Sequence, residues 1–173
     1  MAFGDLILGD GVFSIVTSSG ATAVDVGLTR GGGQFTVERE FRDIESDGAY
    51  GPVMGLTGLI RETPKLTIRG LELLQSNLPR FYPNSTQTTT NSTEWHTVVD
   101  SLTTGEFMYQ VKWTGAMLNG KSVVISVYNA MNRENIDWAL VDKEEVLPEV
   151  TFTGHYGTTT RTDVPFLVEY STA

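Results

Sequence analysis

The chain contains no cysteine. A disulfide framework and thiolate metal sites are therefore excluded. Basic residues are scarce: 12 Lys and Arg face 21 Asp and Glu, for a formal net charge of -9. A protein that grips nucleic acid needs a surplus of Lys and Arg to displace phosphate counterions, and this chain has the opposite balance. No run approaches the roughly 18 apolar residues that cross a bilayer as a helix, so no membrane partner is expected. Residues 1–11 carry no basic stretch followed by an apolar one, so no signal peptide is expected either. A soluble protein used without export is the simplest expectation.

What is present points to β structure. The 173 residues are 40% apolar and 19% charged, a globular balance. That length suits a single domain, 1–173, with a sizeable core. Glycine occurs 18 times, and Thr and Val recur, which favours short strands and turns over long helices.

Leu6 to Leu8 and Val12 to Val16 flank Asp10-Gly11, which predicts a hairpin. Ala23 to Leu28 reads as a short strand, and Gly31-Gly32-Gly33 as a break. Gln34 to Arg42 alternates cleanly: Phe35, Val37 and Phe41 point one way, and Thr36, Glu38, Glu40 and Arg42 the other. Further strands are expected at Lys65–Ile68, Glu106–Trp113, Ser122–Tyr128, Ile136–Val141, Glu149–Tyr156 and Pro165–Tyr170, with Trp95–Leu102 extended. Phe107, Tyr109, Val111 and Trp113 should share one face. Leu71, Leu74 and Leu78 fall at helical spacing before Pro79, which predicts one helix over 70–78. Asn84 to Thr93 is wholly polar and reads as a mobile surface loop, with chance glycosylation triplets at Asn84 and Asn91. The expected fold is mainly β, a sandwich or barrel flanked by one α-helix.

Asp43 to Thr63 stands apart. It has no clean period and three turn-like glycines, yet it carries Tyr50, Val53, Met54, Leu56, Leu59 and Ile60. Long loops in compact domains are usually functional, and exposed apolar loops mark interaction surfaces. These six residues are the candidate assembly interface. The bland alternative is that the segment folds over its own core, or that its later part forms another strand.

Several motifs suggest chemistry and then fail on context. Residues 115–122, Gly-Ala-Met-Leu-Asn-Gly-Lys-Ser, match the phosphate-binding loop G-x-x-x-x-G-K-S. Such a loop must open a helix, whereas Val123 to Val127 has strand composition and Asn119-Gly120 is a hairpin signal. Asp43, Glu45, Asp47 and Gly48 imitate the start of a calcium loop, but Met54 stands where the closing bidentate Glu belongs. Glu38 and Glu40 lie roughly 7 Å apart along one strand face, a spacing open to an inverting glycosidase and equally to a solvated face beside Arg39 and Arg42. His96 and His155 have no serine or carboxylate placed beside them in a triad arrangement. No catalytic residue, metal site or cofactor is expected.

The stretch from Phe35 to Gly55, FTVEREFRDIESDGAYGPVMG, resembles the major tail tube proteins of long-tailed bacteriophages. There an alternating strand runs into an R-D-I-E-x-D-G-A-x-G-P-V-x-G-like loop. Asp142 to Tyr156 is similar to that family's closing D-K-x-E-x-x-L-P-V-x-F-x-x-H-Y stretch, with Glu149 in place of an apolar residue. The resemblance implies a β-sandwich or barrel with one helix. It implies self-association into hexameric rings that stack as a hollow tube, located in the virion tail and assembled in the host cytoplasm. Implied partners are the tape-measure, tail terminator and distal tail proteins, with DNA passing through the lumen without specific binding. An acidic wall would keep DNA from adhering. Alternatives are the inner tube of a contractile particle, a monomeric β-sandwich binding module, and a hydrolase with a carboxylate pair.

Overall fold

The computed structural model describes residues 7–45, 47–48, 50–70, 75–89 and 92–171. Among these residues ten strands follow one another: β1 (Ile7–Val16), β2 (Val24–Asp25), β3 (Thr29–Asp43), β4 (Thr57–Gly70), β5 (Ser85–Thr89), β6 (Thr93–Thr97), β7 (Met108–Met117), β8 (Ser122–Asn132), β9 (Glu149–Thr153) and β10 (Phe166–Tyr170). One short α-helix among the described residues, α1 (Leu78–Phe81), interrupts them. The fold is mainly β, as the composition predicts.

Eight strands form one antiparallel sheet in the order β2-β1-β7-β8-β9-β4-β3, with β10 paired to β8. The sheet folds into two layers because β8 serves both. Its Val123–Val127 stretch pairs with β10, while Met131 and Asn132 pair with β9. The corner is Asn129, whose φ of 47° is left-handed, a region Asn tolerates better than most residues. Core-facing positions change phase there: Val127 is buried before it and Ala130 after it. Such a bend is how a strand switches sheets.

The core lies between the layers. Phe13, Ile15, Val111 and Val127 come from one side, and Leu66, Ile68, Val150 and Phe152 from the other. Leu78 and Phe81 of α1 join them, Phe81 meeting Phe152 edge-on at 6.2 Å. Gly33 lets β3 approach β1 closely: a Cβ there would sit 2.5 Å from the Phe13 ring and 2.3 Å from the Thr67 carbonyl oxygen.

Several expectations are corrected. Asp10-Gly11 makes no hairpin; β1 runs through it with a register shift between Ile7 and Gly11. Gly11 is there because a Cβ would lie 2.5 Å from the Trp113 indole. Leu6 lies outside the described residues. Gly31-Gly32-Gly33 does not break the chain but forms an irregularity within β3. Pro79 does not end the helix; it occupies its first turn, where no N–H is needed, and helix continues to Phe81. Leu71 and Leu74 lie outside the described residues.

The polar run 84–93 is no simple loop. Ser85–Thr89 pairs with Thr93–Thr97 in a separate hairpin, since threonine is β-branched and suits a strand. Ile136–Val141 forms no strand. That segment is irregular and held by Trp138, whose indole stacks on Trp95 at 6.3 Å and donates to the Tyr82 hydroxyl. The four-residue stripe on β7 holds only for Val111 and Trp113. Opposite the Asn129 corner, Met108 replaces Tyr109 in the core, and Tyr109 is partly exposed.

Candidate functional site

The most distinctive feature is the far end of the β3–β4 hairpin. From Glu38 to Asp43 and from Thr57 to Arg61 every residue is exposed, yet the two strands stay paired. The hairpin therefore leaves the body as a two-stranded arm. Ten residues separate Gly33 from Asp43, roughly 33 Å at strand rise. A bulge lies where Glu40 faces Arg61 and Phe41 faces Leu59, leaving Ile60 as the extra residue.

Isolated two-stranded ribbons are marginal, so this one needs cross-strand support. Glu38 pairs with Lys65 at 2.7 Å and Glu40 with Arg61 at 2.9 Å, both on the outer face. On the opposite face Arg39 meets Glu62 at 2.8 Å. The first two pairs are exposed and contribute about 0–1 kcal/mol each. Glu62 is buried, so its partner offsets a real desolvation cost. At the tip Thr57 Oγ1 donates to Asp43 Oδ1 at 2.6 Å, and the Ile44 amide donates to the Leu56 carbonyl.

The six sequence candidates all fall on this arm. Tyr50 and Met54 are fully exposed, at 109% and 100%, and Val53 lies beside them in the tip. Leu56 is half-buried at the loop's last position. Leu59 and Ile60 are exposed but belong to β4 and not to a loop. The long segment 43–63 thus shrinks to a loop over 44–56, and its later part is strand. Sequence reasoning left out Phe41 and Ile44, which are exposed at 57% and 58%. Phe41 shares the alternation of Phe35 and Val37, but the strand outruns the core before reaching it. The available signal was length: nine alternating residues leading straight into an apolar loop.

Burying one large apolar side chain is worth about 1.5–3 kcal/mol. Association of two bodies costs about 4–15 kcal/mol in lost freedom. One arm contact therefore barely repays a single encounter. A surface of this kind gives stable complexes only where each copy makes several contacts at once.

The phosphate-loop lookalike sits on a hairpin and opens no helix. Residues 117–121 are the tight turn between β7 and β8, with the Met117 amide donating to the Lys121 carbonyl at 2.8 Å. Lys121 is exposed on it, and no helix follows. Lys121→Ala is expected to leave stability within about 0.5 kcal/mol of wild type in urea denaturation. ATP binding that this substitution abolishes would contradict the assignment. Glu38 and Glu40 each face a cation on the outer sheet surface. Among the described residues no group of three His, Cys, Asp or Glu could hold a metal ion. His155 is half-buried, its Nδ1 lying 3.1 Å from the Asn129 carbonyl and its ring edge-on to Phe107.

A concavity of about 790 Å³ opens beside that histidine, between Phe107, Tyr109, Tyr128 and the 157–165 segment. Burial first, and then the charges of Glu169 and Tyr109, push the Tyr128 hydroxyl above its ordinary pKa. Elsewhere Val98, Val99, Leu140 and Val141 are exposed in irregular segments. Among the described residues no helix is long and apolar enough to cross a membrane. No protein-family profile matches the chain, and no curated protein matches it significantly.

Proposed function

We propose that this chain is a structural subunit that assembles, as stacked hexameric rings, into the hollow tail tube of a long-tailed bacteriophage, and that it is not an enzyme. The observation that carries the reading is the arm. It extends a paired ribbon beyond the core and loads it with Phe41, Ile44, Tyr50, Val53, Met54, Leu59 and Ile60, all exposed. An exposed apolar surface of this kind marks an interaction site, and a self-associating subunit buries it. The resemblance of residues 35–55 and 142–156 to tail tube proteins supplies the kind of assembly.

Head-to-tail contacts close into rings when the rotation permits, and rings with complementary faces stack. The net charge of -9 suits a conduit that DNA traverses without binding. In this reading the tape-measure protein fills the lumen before ejection, and terminator and distal tail proteins cap the ends. The site of action is the virion tail, after assembly in the host cytoplasm. The inner tube of a contractile particle is the near alternative. The cleft of about 790 Å³ with its aromatic wall favours, as a second reading, a monomeric β-sandwich binding module.

Negative-stain electron microscopy of the concentrated chain separates the two. Rings or tubes support the proposal. Isolated particles of 19.0 kDa at every concentration, with ligand uptake at Tyr109 and Tyr128, would support the module instead.

A further inference from the structure

A smaller concavity lies on the body, at the open side of the sandwich where β1, β3, β7 and β8 come together. Its volume is about 360 Å³. Phe13 and Leu66 form its floor, and Gly31, Gly32, Trp113 and Ile125 contribute to its walls. The floor residues are buried, while Trp113 and Ile125 are only half-buried, so the apolar interior is open to the outside. Among the described residues no charged side chain lines it, and Gln34 brings the only side-chain amide. Glycine walls present bare backbone, which leaves room for an inserted side chain.

Phe13, Leu66, Trp113 and Ile125 suit an apolar side chain, and the bare glycine backbone beside them offers polar contacts as well. The chain itself offers such a side chain, in the fully exposed Met54 and Tyr50 at the arm tip. The tip cannot reach the cleft of its own subunit. The cleft is at the Gly31–Gly33 end of β3 and the tip is beyond Asp43, roughly 33 Å further along the same paired ribbon. A protruding apolar knob and a distant apolar hole on one chain make a heterologous contact, which propagates from copy to copy.

We propose that the arm tip, led by Met54 and Tyr50, seats in the glycine-walled cleft of a second copy of this chain. The inference rests on the tube reading and specifies one of its contacts. Methionine suits such a hole, because its unbranched thioether fills irregular gaps and packs well against aromatic rings such as Phe13 and Trp113. Equivalent Gly33 positions of joined copies then lie roughly 33 Å or slightly more apart, the distance along β3 from cleft to tip.

The absence of cysteine gives a clean test. Met54→Cys is combined with Gly9→Cys on the cleft rim, where an added Cβ meets nothing within 4 Å. A second pair, Met54→Cys with Gln34→Cys, guards against an unlucky side-chain direction. The thiols are oxidised with diamide at a concentration where wild type assembles, and circular dichroism verifies folding. A disulfide requires Cα atoms within about 7 Å, so a bond reports seating of the tip. At least one double variant is expected to give a ladder of cross-linked species on a non-reducing gel. An equimolar mixture of the corresponding single variants should yield a mixed dimer that stops at two chains. Wild-type tubes without a bond in either pair would overturn the socket and leave the tube reading standing. A bond formed within one chain would overturn the socket too, since the arm would then fold back. No assembly of wild type and no bond at any concentration would remove both.

Discussion

Replacing Met54 and Leu56 together with serine is expected to abolish assembly while leaving a folded monomer. Met54 is fully exposed and touches little in its own subunit, so serine there removes nothing from the core. Leu56 is half-buried, but its structural role is carried by backbone: its N–H donates to the Val53 carbonyl and its carbonyl accepts from Ile44. Serine keeps both bonds. Two large apolar groups lost per contact weaken it by about 3–6 kcal/mol. At about 1.4 kcal/mol per tenfold, that raises the critical concentration at least hundredfold. Sedimentation should show the variant as a monomer at concentrations where wild type pellets as tubes. The denaturation midpoint should move little. An unfolded double variant would place the tip in the subunit's own core, and normal assembly would remove the tip from the interface.

Phe152→Ala should do the reverse. Phe152 is fully buried in β9, between the layers and edge-on to Phe81. Removing such a ring leaves a cavity beside Phe81 and the cross-strand neighbour Leu66, and costs about 3–5 kcal/mol. Domains of this kind are stable by only about 5–15 kcal/mol. The substitution therefore consumes a large share of the total. Urea denaturation is expected to show an unfolding midpoint well below that of wild type, with assembly failing only because the folded population falls. A loss under 1 kcal/mol would mean that the two layers do not close on this residue. The contrast between the two variants separates body from arm: one destabilises the fold, the other only its association.

Much of this was legible in the sequence, and the failures share physical causes. The alternation of Phe35 and Val37 with Thr36 and Glu38 located β3, and Asn119-Gly120 located the β7–β8 turn. Both signals are local, so no tertiary context was needed to read them. Gly11 and Gly33 misled because glycine marks both turns and close approaches, and only packing tells which. Here Trp113 and Phe13 lie against them. The Tyr109 face was misjudged because its direction is decided by Asn129 on the neighbouring strand, which no periodicity along β7 can reveal. The polar hairpin 85–97 was hidden by composition: threonine serves loops and strands alike.

For the site, the apolar content of 43–63 was visible, but its geometry was not. That Leu59 and Ile60 stand on a paired strand outside the body, opposite Phe41, depends on β4 overrunning the core. The concavity of Phe13, Gly31 and Trp113 draws on residues far apart in sequence and could not be read from it.

The measurement that bears most directly on the arm as the self-association contact is hydrogen exchange across residues 43–63, compared between dissociated and assembled protein. In the free subunit the tip amides between Asp47 and Gly55 should exchange fast, as expected for an exposed loop. Assembly is predicted to slow them strongly while amides of the core strands β7 and β9 change little. Equal exchange of the tip in both states, in a sample that electron microscopy shows to be fully assembled, would contradict the account.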